Sequence, residues 1–162
     1  MDDLFAPPGT AWQPVSPQLC RMRRTVLACL VGAGLVAVLV YALFTSWTWW
    51  LLLLAAALVV LFALGWFVVD RNARYWGYAE RDEDLYIRHG ALFKELVAVP
   101  YGRMQFVDIT SGPVEQLYGI ASVHLHTASP RTSARIPGLP KDEAARLRDR
   151  LTSLGEAQAA GL

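Results

Sequence analysis

Between Thr25 and Val69 the chain has no Asp, Glu, Lys or Arg, so that 45 of its 162 residues form one uncharged run. A helix needs about 20 apolar residues to cross a hydrocarbon core of roughly 30 Å, which makes the run too long for one span and suitable for two. Near its middle, Thr45-Ser46-Trp47-Thr48-Trp49-Trp50 brings in hydroxyls and a Trp cluster, residue types that favour the headgroup layer. The pattern predicts two spans, about Thr25–Phe44 and Trp49–Val69, joined by a tight turn.

Beyond Arg74 the apolar period becomes two. Leu85 and Ile87 alternate with Tyr86 and Arg88 before Gly90; further runs cover Leu92–Val99, ended by Pro100, and Met104–Thr110, ended by Ser111-Gly112-Pro113. Val114–Tyr118 and Ile120–Thr127, divided by Gly119, and a short Arg135–Ile136 segment before Pro137-Gly138 complete the series. Short alternating stretches with frequent breaks predict an antiparallel sandwich or barrel of about six or seven strands.

The last segment is helical by its spacing. Ala144, Leu147, Leu151 and Leu154 form one apolar stripe, Pro140 suits the first turn, Asp142 and Glu143 complement the helix dipole, and Gly155 marks the expected stop. Leu147→Asp and Leu151→Asp are each expected to unfold the domain, while Arg146→Ala and Arg150→Ala, on the other face, are expected to be nearly silent.

The expected divisions are a flexible tail at 1–24, a transmembrane hairpin at 25–69, a β-rich domain at 70–155 and a C-terminal tail at 156–162. The first tail holds Asp2, Asp3, three arginines and Pro7, Pro8, Pro14 and Pro17, a composition that buries little. Arg21, Arg23 and Arg24 precede the first span and Arg71 and Arg74 follow the second, while the turn between is uncharged. Basic flanks stay on the cytoplasmic side, so both termini are expected there, in a protein that crosses its membrane twice. A cleaved signal peptide is the competing reading; the apolar stretch exceeds the length of a signal core, and a second span follows at once.

Residues 70–162 carry 12 basic and 12 acidic side chains, which argues against a nucleic-acid footprint. Cys20 and Cys29, nine positions apart on or near one helix, lie about 13 Å apart along its axis, beyond disulfide reach. Cys20 is placed for acylation just outside the span, but a plain structural cysteine is the expectation. Neither span holds an ionisable residue, which argues against a transporter or channel. Ala28 and Gly32, and Ala33 and Ala37, repeat at helical spacing and are candidate helix-packing residues, within one molecule or toward another subunit.

Catalytic chemistry finds little footing. His124 and His126 share one strand face, yet Val123 and Leu125 supply the opposite, core-facing side, so a solvated pair is expected rather than a metal site. Ser111, Ser122, Ser129 and Ser133 lie outside any nucleophile elbow, and there is no P-loop or dinucleotide fingerprint. No catalytic residue, metal or cofactor is assigned. Arg81, Arg88 and Lys94 are the cations available near the first strands, but Asp82, Glu83 and Asp84 sit beside them, so no coherent basic pocket for a phosphorylated headgroup is expected. Arg21, Arg23, Arg24, Arg71 and Arg74 are candidate lipid-headgroup contacts.

The ordered segments Arg74-Tyr75-Trp76, Arg88-His89-Gly90, Val99-Pro100, Arg103-Met104-Gln105, Ser111-Gly112-Pro113, Tyr118-Gly119-Ile120-Ala121, Thr127-Ala128 and Ile136-Pro137-Gly138-Leu139 resemble the bacterial pleckstrin-homology (PH) domain family found in YdbS-like membrane proteins. The similarity covers about Arg24 to Leu154 and includes the preceding hairpin. It implies a PH-like domain of about seven bent antiparallel strands capped by a C-terminal helix, in a multi-pass protein of the bacterial cell membrane. It also implies a partner, since YdbS-like proteins commonly accompany a larger membrane protein with repeated domains of this family. The expected function is a membrane-anchored interaction module, with Ser111, Gly112, Pro113 and Val114 as a candidate partner loop; homo-oligomerisation and sensing of anionic lipid are the alternatives.

Overall fold

The computed structural model describes residues 11–45, 49–90, 93–127 and 133–159, with the side chain of Ala159 left aside. Asp2, Asp3, Pro7, Pro8, the turn residues Ser46–Thr48, Leu92, Ala128 and Ser129 lie outside the described residues, as do the last three of the C-terminal tail.

Two helices, α1 (Pro17–Phe44) and α2 (Trp49–Tyr75), pack side by side, and both are long and apolar enough to cross a membrane. Their most apolar windows are unburied, as expected of surfaces that face lipid rather than a protein core. Each extends past the apolar run. Ser16 caps α1 by accepting a hydrogen bond from the backbone N–H of Gln18, and Pro17 fits the first turn, where its missing N–H costs nothing. The helices meet where side chains are small: a Cβ on Gly34 would touch Leu58, and one on Gly65 would lie 3.0 Å from Leu27.

The domain that follows contains two antiparallel sheets. One is ordered β1 (Gln13–Pro14), β2 (Gly77–Glu80), β3 (Asp84–His89), β4 (Glu95–Pro100); the other, β5 (Met104–Thr110), β6 (Ile120–Thr127), β7 (Ala134–Pro140). A short helix α3 (Pro113–Leu117) joins β5 to β6, and α4 (Lys141–Ala159) closes the domain against β5, β6 and a 3-10 turn at Tyr101–Arg103. Alternation does what the pattern requires. Leu85 and Ile87 on β3, Val99 on β4 and Val123 and Leu125 on β6 are buried with Leu147 and Leu151 of α4.

Four expectations need correction. Val114–Tyr118 is not a strand: Pro113 starts a helical turn, and the Glu115 carboxylate accepts a hydrogen bond from the Gly112 N–H at 2.9 Å. Gly155 does not stop α4, which runs on to Ala159; a Cβ there would lie 3.6 Å from the Tyr101 carbonyl, so the glycine serves close approach to the 3-10 turn. Residues 13–24 do not behave as a free tail. Gln13 and Pro14 pair with Tyr78 and Gly77, and Val15 and Leu19 are buried in the domain core. Lastly, Arg146 and Arg150 are not idle surface charges, as their contacts with Glu80 show.

The junction between α1 and the domain depends on a bulge in β7. Ala121 pairs with Leu139 and Val123 with Ile136, so one extra residue is accommodated in β7, and Gly138 takes φ +71° there. Its carbonyl accepts a hydrogen bond from the Ser16 N–H at 3.0 Å. Leu19 fills the space above it: a Cβ on Gly138 would stand 2.6 Å from the Leu19 Cβ.

Gly138→Ala combines a left-handed backbone with that collision and is expected to destabilise the chain by about 1–3 kcal/mol. Leu19→Ala should cost about 2–5 kcal/mol, the range for emptying a buried Leu site. Thermal unfolding of the purified chain in mild detergent checks both; equal stability of the Gly138 variant and the parent would show that α1 is not seated on β7.

Candidate functional site

Where the two long helices enter the domain, charge is concentrated. Asp70 accepts from Arg24 at 2.6 Å and from Arg74 at 2.7 Å, so one carboxylate ties the base of α1 to that of α2. The Arg24 guanidinium also lies 4.5 Å over the Trp66 ring. Its Nε is buried with no hydrogen-bond partner among the described residues. Beside this cluster is a cavity of about 510 Å³ with Ser16, Cys20, Arg21, Arg24, Asp70 and Arg74 in its wall. Of the five arginines expected at headgroup level, the structure brings three into this one cavity. Arg71 turns instead over the Tyr75 ring at 5.6 Å, and Arg23 is half-buried within electrostatic reach of Arg135 and Glu115.

The cations near the first strands do not converge. Arg81 lies over Tyr86, Arg88 over Trp12 and Lys94 over Tyr75, three separate aromatic partners. Arg81 precedes β3 and Arg88 is near its far end, so about four strand residues, some 13 Å, separate them.

The second polar centre was not legible as a site. A cleft of about 690 Å³ between β1 and the start of α4 is lined by Gln13, Tyr78, Glu80, Glu143, Arg146 and Arg150 among others. Glu80, with only 8% of its side chain exposed, meets Arg146 at 2.6 Å and Arg150 at 2.9 Å. The latter contact is an ion pair without hydrogen-bond alignment, since Glu80 Oε2 has no hydrogen-bond partner. Arg146 also bonds Glu143 through two nitrogens. Tyr78 Oη is 2.6 Å from Gln13 Oε1 and 2.7 Å from Glu143 Oε1; a hydroxyl has one proton and serves one acceptor at a time. Buried carboxylates need such partners, and the network joins β1, β2 and α4.

The remaining candidates separate into used and unused surfaces. Ser111 donates to the Ile120 carbonyl, and Gly112 and Pro113 begin α3, which leaves Val114 as the exposed apolar member of the expected loop. Gly32 has nothing within 4 Å of where a Cβ would be, and Ala28, Ala33 and Ala37 are exposed, so these small residues lie off the α1–α2 contact. His124 and His126 are partly exposed beside Phe106, which stacks on His126 at 4.2 Å. His124 is held below the ordinary imidazole range, by burial first and then by Arg135 and His126. Among the described residues no group of three or more His, Cys, Asp or Glu side chains is placed to hold a metal ion.

A family model described as bacterial PH domain matches residues 24–154. The UPF0699 transmembrane protein YdbS of Bacillus subtilis (strain 168) is 27% identical over 149 residues, which cover 91% of this chain and 92% of the relative. No solved structure matches.

The polar network should set two pH limits. The Glu143 carboxyl is held below its ordinary 4.5, chiefly by hydrogen bonding from Arg146, so its contribution to stability is complete above about pH 4.5 and is lost as pH falls through the lower folded value. Burial, and next Glu143, push Tyr78 above its ordinary 10, so that contribution is complete below pH 10 and declines as pH rises further. Glu143→Gln should therefore reduce the acid limb of a stability–pH profile and Tyr78→Phe the alkaline one. Arg146→Ala should cost about 1.5–3 kcal/mol, Arg150→Ala, which loses only an exposed ion pair, about 0.2–1 kcal/mol, and the pair more than the sum, because the second removal strands Glu80. Urea unfolding of single and double variants reads that coupling directly.

Proposed function

The chain belongs to the bacterial PH domain family, and from that membership we propose that it is a non-enzymatic, membrane-anchored interaction module. In this reading the helix hairpin crosses the cytoplasmic membrane twice, both termini are cytoplasmic, and the PH-like domain is presented at the inner face to another membrane protein. One observation carries it: α1 passes from its apolar run into the domain core without a break, through Leu19 on Gly138, so the domain has a fixed orientation relative to the hairpin. A fixed orientation is what preorganised docking needs, because little ordering is left to be done on binding.

Two surfaces are available for such a partner. β5 is the outer strand of its sheet, with Phe106 half exposed, and an open strand edge pairs readily with an added strand. The small residues Ala28, Gly32, Ala33 and Ala37 let a foreign helix approach α1 closely. A larger membrane protein with related PH-like domains, as the family resemblance implies, suits both; a second copy of this chain is the other occupant.

The cavity at the helix bases favours a second reading, in which an anionic lipid headgroup enters between Arg21, Arg24 and Arg74. Attraction of about 1 kcal/mol per basic residue near an anionic surface would support it.

Reporters fused at either end should act as cytoplasmic, and a tag inserted between Thr45 and Thr48 should be reached from outside; an external C-terminal domain would overturn the reading. Extraction in mild detergent should recover a stable complex of defined composition that Gly32→Leu or Phe106→Asp weakens without loss of fold. A strictly monomeric chain that has no partner, yet binds anionic liposomes with steep salt dependence, would replace the interaction reading with lipid sensing.

A further inference from the structure

One exposed apolar surface sits beside the hairpin itself. On α3, Leu117 is 85% exposed and Val114 is exposed with it, while the neighbouring Tyr118 hydroxyl donates to Thr25 Oγ1 at 2.7 Å. Thr25 is the first residue of the uncharged run. The hydrogen bond therefore sets α3 at the level where the apolar part of α1 begins, the boundary between headgroups and hydrocarbon if the hairpin spans the membrane as proposed above.

The orientation of α3 follows from its other contacts. Glu115 faces the domain, where it accepts from Ser122 at 2.9 Å and meets Arg135 at 3.6 Å. Successive residues of a helix turn by about 100°, so Leu117 lies about 200° around from Glu115 and Val114 about 100° in the opposite sense, both on the half that faces away from the domain. An inward carboxylate, an outward Leu and Val, and a Tyr at the edge are the side chains of a segment lying in a membrane interface. We infer that α3 is a wedge that rests in the headgroup layer of the membrane its own hairpin crosses, with Leu117 and Val114 toward the acyl chains. The occupant is the lipid bilayer, because the surface is continuous with the lipid-facing side of α1 at Thr25. The inference rests on the proposed double crossing and adds a third membrane contact, which fixes the face of the domain turned toward lipid.

The full chain in nanodiscs tests it, with Cys20→Ala and Cys29→Ala removing the native thiols. A single Leu117→Cys is labelled with bimane, and its fluorescence is compared in phosphatidylcholine with brominated acyl chains, in plain phosphatidylcholine, and with iodide in the buffer. Leu53→Cys, exposed in the second turn of α2 within its apolar run, and Asp149→Cys, exposed on α4, serve as controls. The Leu117 label should lose fluorescence in brominated lipid as the Leu53 label does and resist iodide, with the Asp149 label showing the reverse. A Leu117 label that follows Asp149 while Leu53 responds to brominated lipid overturns the wedge and leaves the crossing standing. Protection of the Leu117 label from both quenchers also overturns it, because protein would then cover α3. A Leu53 label silent to brominated lipid overturns the crossing and the wedge with it.

Discussion

The seat of Leu19 on Gly138 is the contact from which the remaining architecture follows. A regular β7 would place a side chain where α1 has to arrive; the bulge, with a glycine at φ +71°, removes the side chain and turns a carbonyl toward Ser16. Once α1 is seated there, β1 lies along β2, Tyr78 comes within reach of Gln13, and the start of α4 is drawn into the same polar network. Burial of Val15 and Leu19 with the sheet residues then makes the apolar helix and the domain share one core.

Charge is distributed so that neither polar centre is left exposed to the wrong medium. At the helix bases Asp70 pairs with two arginines that come from different helices, which aligns α1 and α2 just past the point where apolar packing alone holds them. Within the domain the order is inverted: Glu80 is the buried member, and the two arginines of α4 remain more exposed. Long side chains with wet guanidinium heads suit that arrangement, because the desolvation falls mainly on one carboxylate.

Features written in local periodicity were legible in the sequence. The uncharged run, the alternation around Leu85 and Ile87, and the Leu147–Leu151 stripe all appear as read, because solvent or lipid on one side dictates each pattern. Contacts made across long separations were not: nothing in Tyr78-Ala79-Glu80 marks a strand whose acid will meet Arg146 and Arg150. Two misreadings did carry local signals. Ser16-Pro17 is a helix start, and it would have brought α1 down to Pro17; Pro113 with Glu115 two positions later is a helical beginning inside an apparent strand run. Gly138, read as lying beyond the short Arg135–Ile136 strand, lies inside β7 in a bulge whose purpose depends on Leu19, more than a hundred residues earlier.

Helix α1 is unbroken from Pro17 to Phe44, so no joint separates the apolar rod from the sheet on which its foot stands. Such a rod acts as a lever. Where the hairpin crosses a membrane as proposed, bilayer thickness changes the tilt of a helix by degrees, and a tilt of α1 would carry β7 and the β5 strand of the same sheet with it. The thickness and tension of the bilayer would then be felt at the far side of the domain as a change of aim, transmitted by stiffness alone.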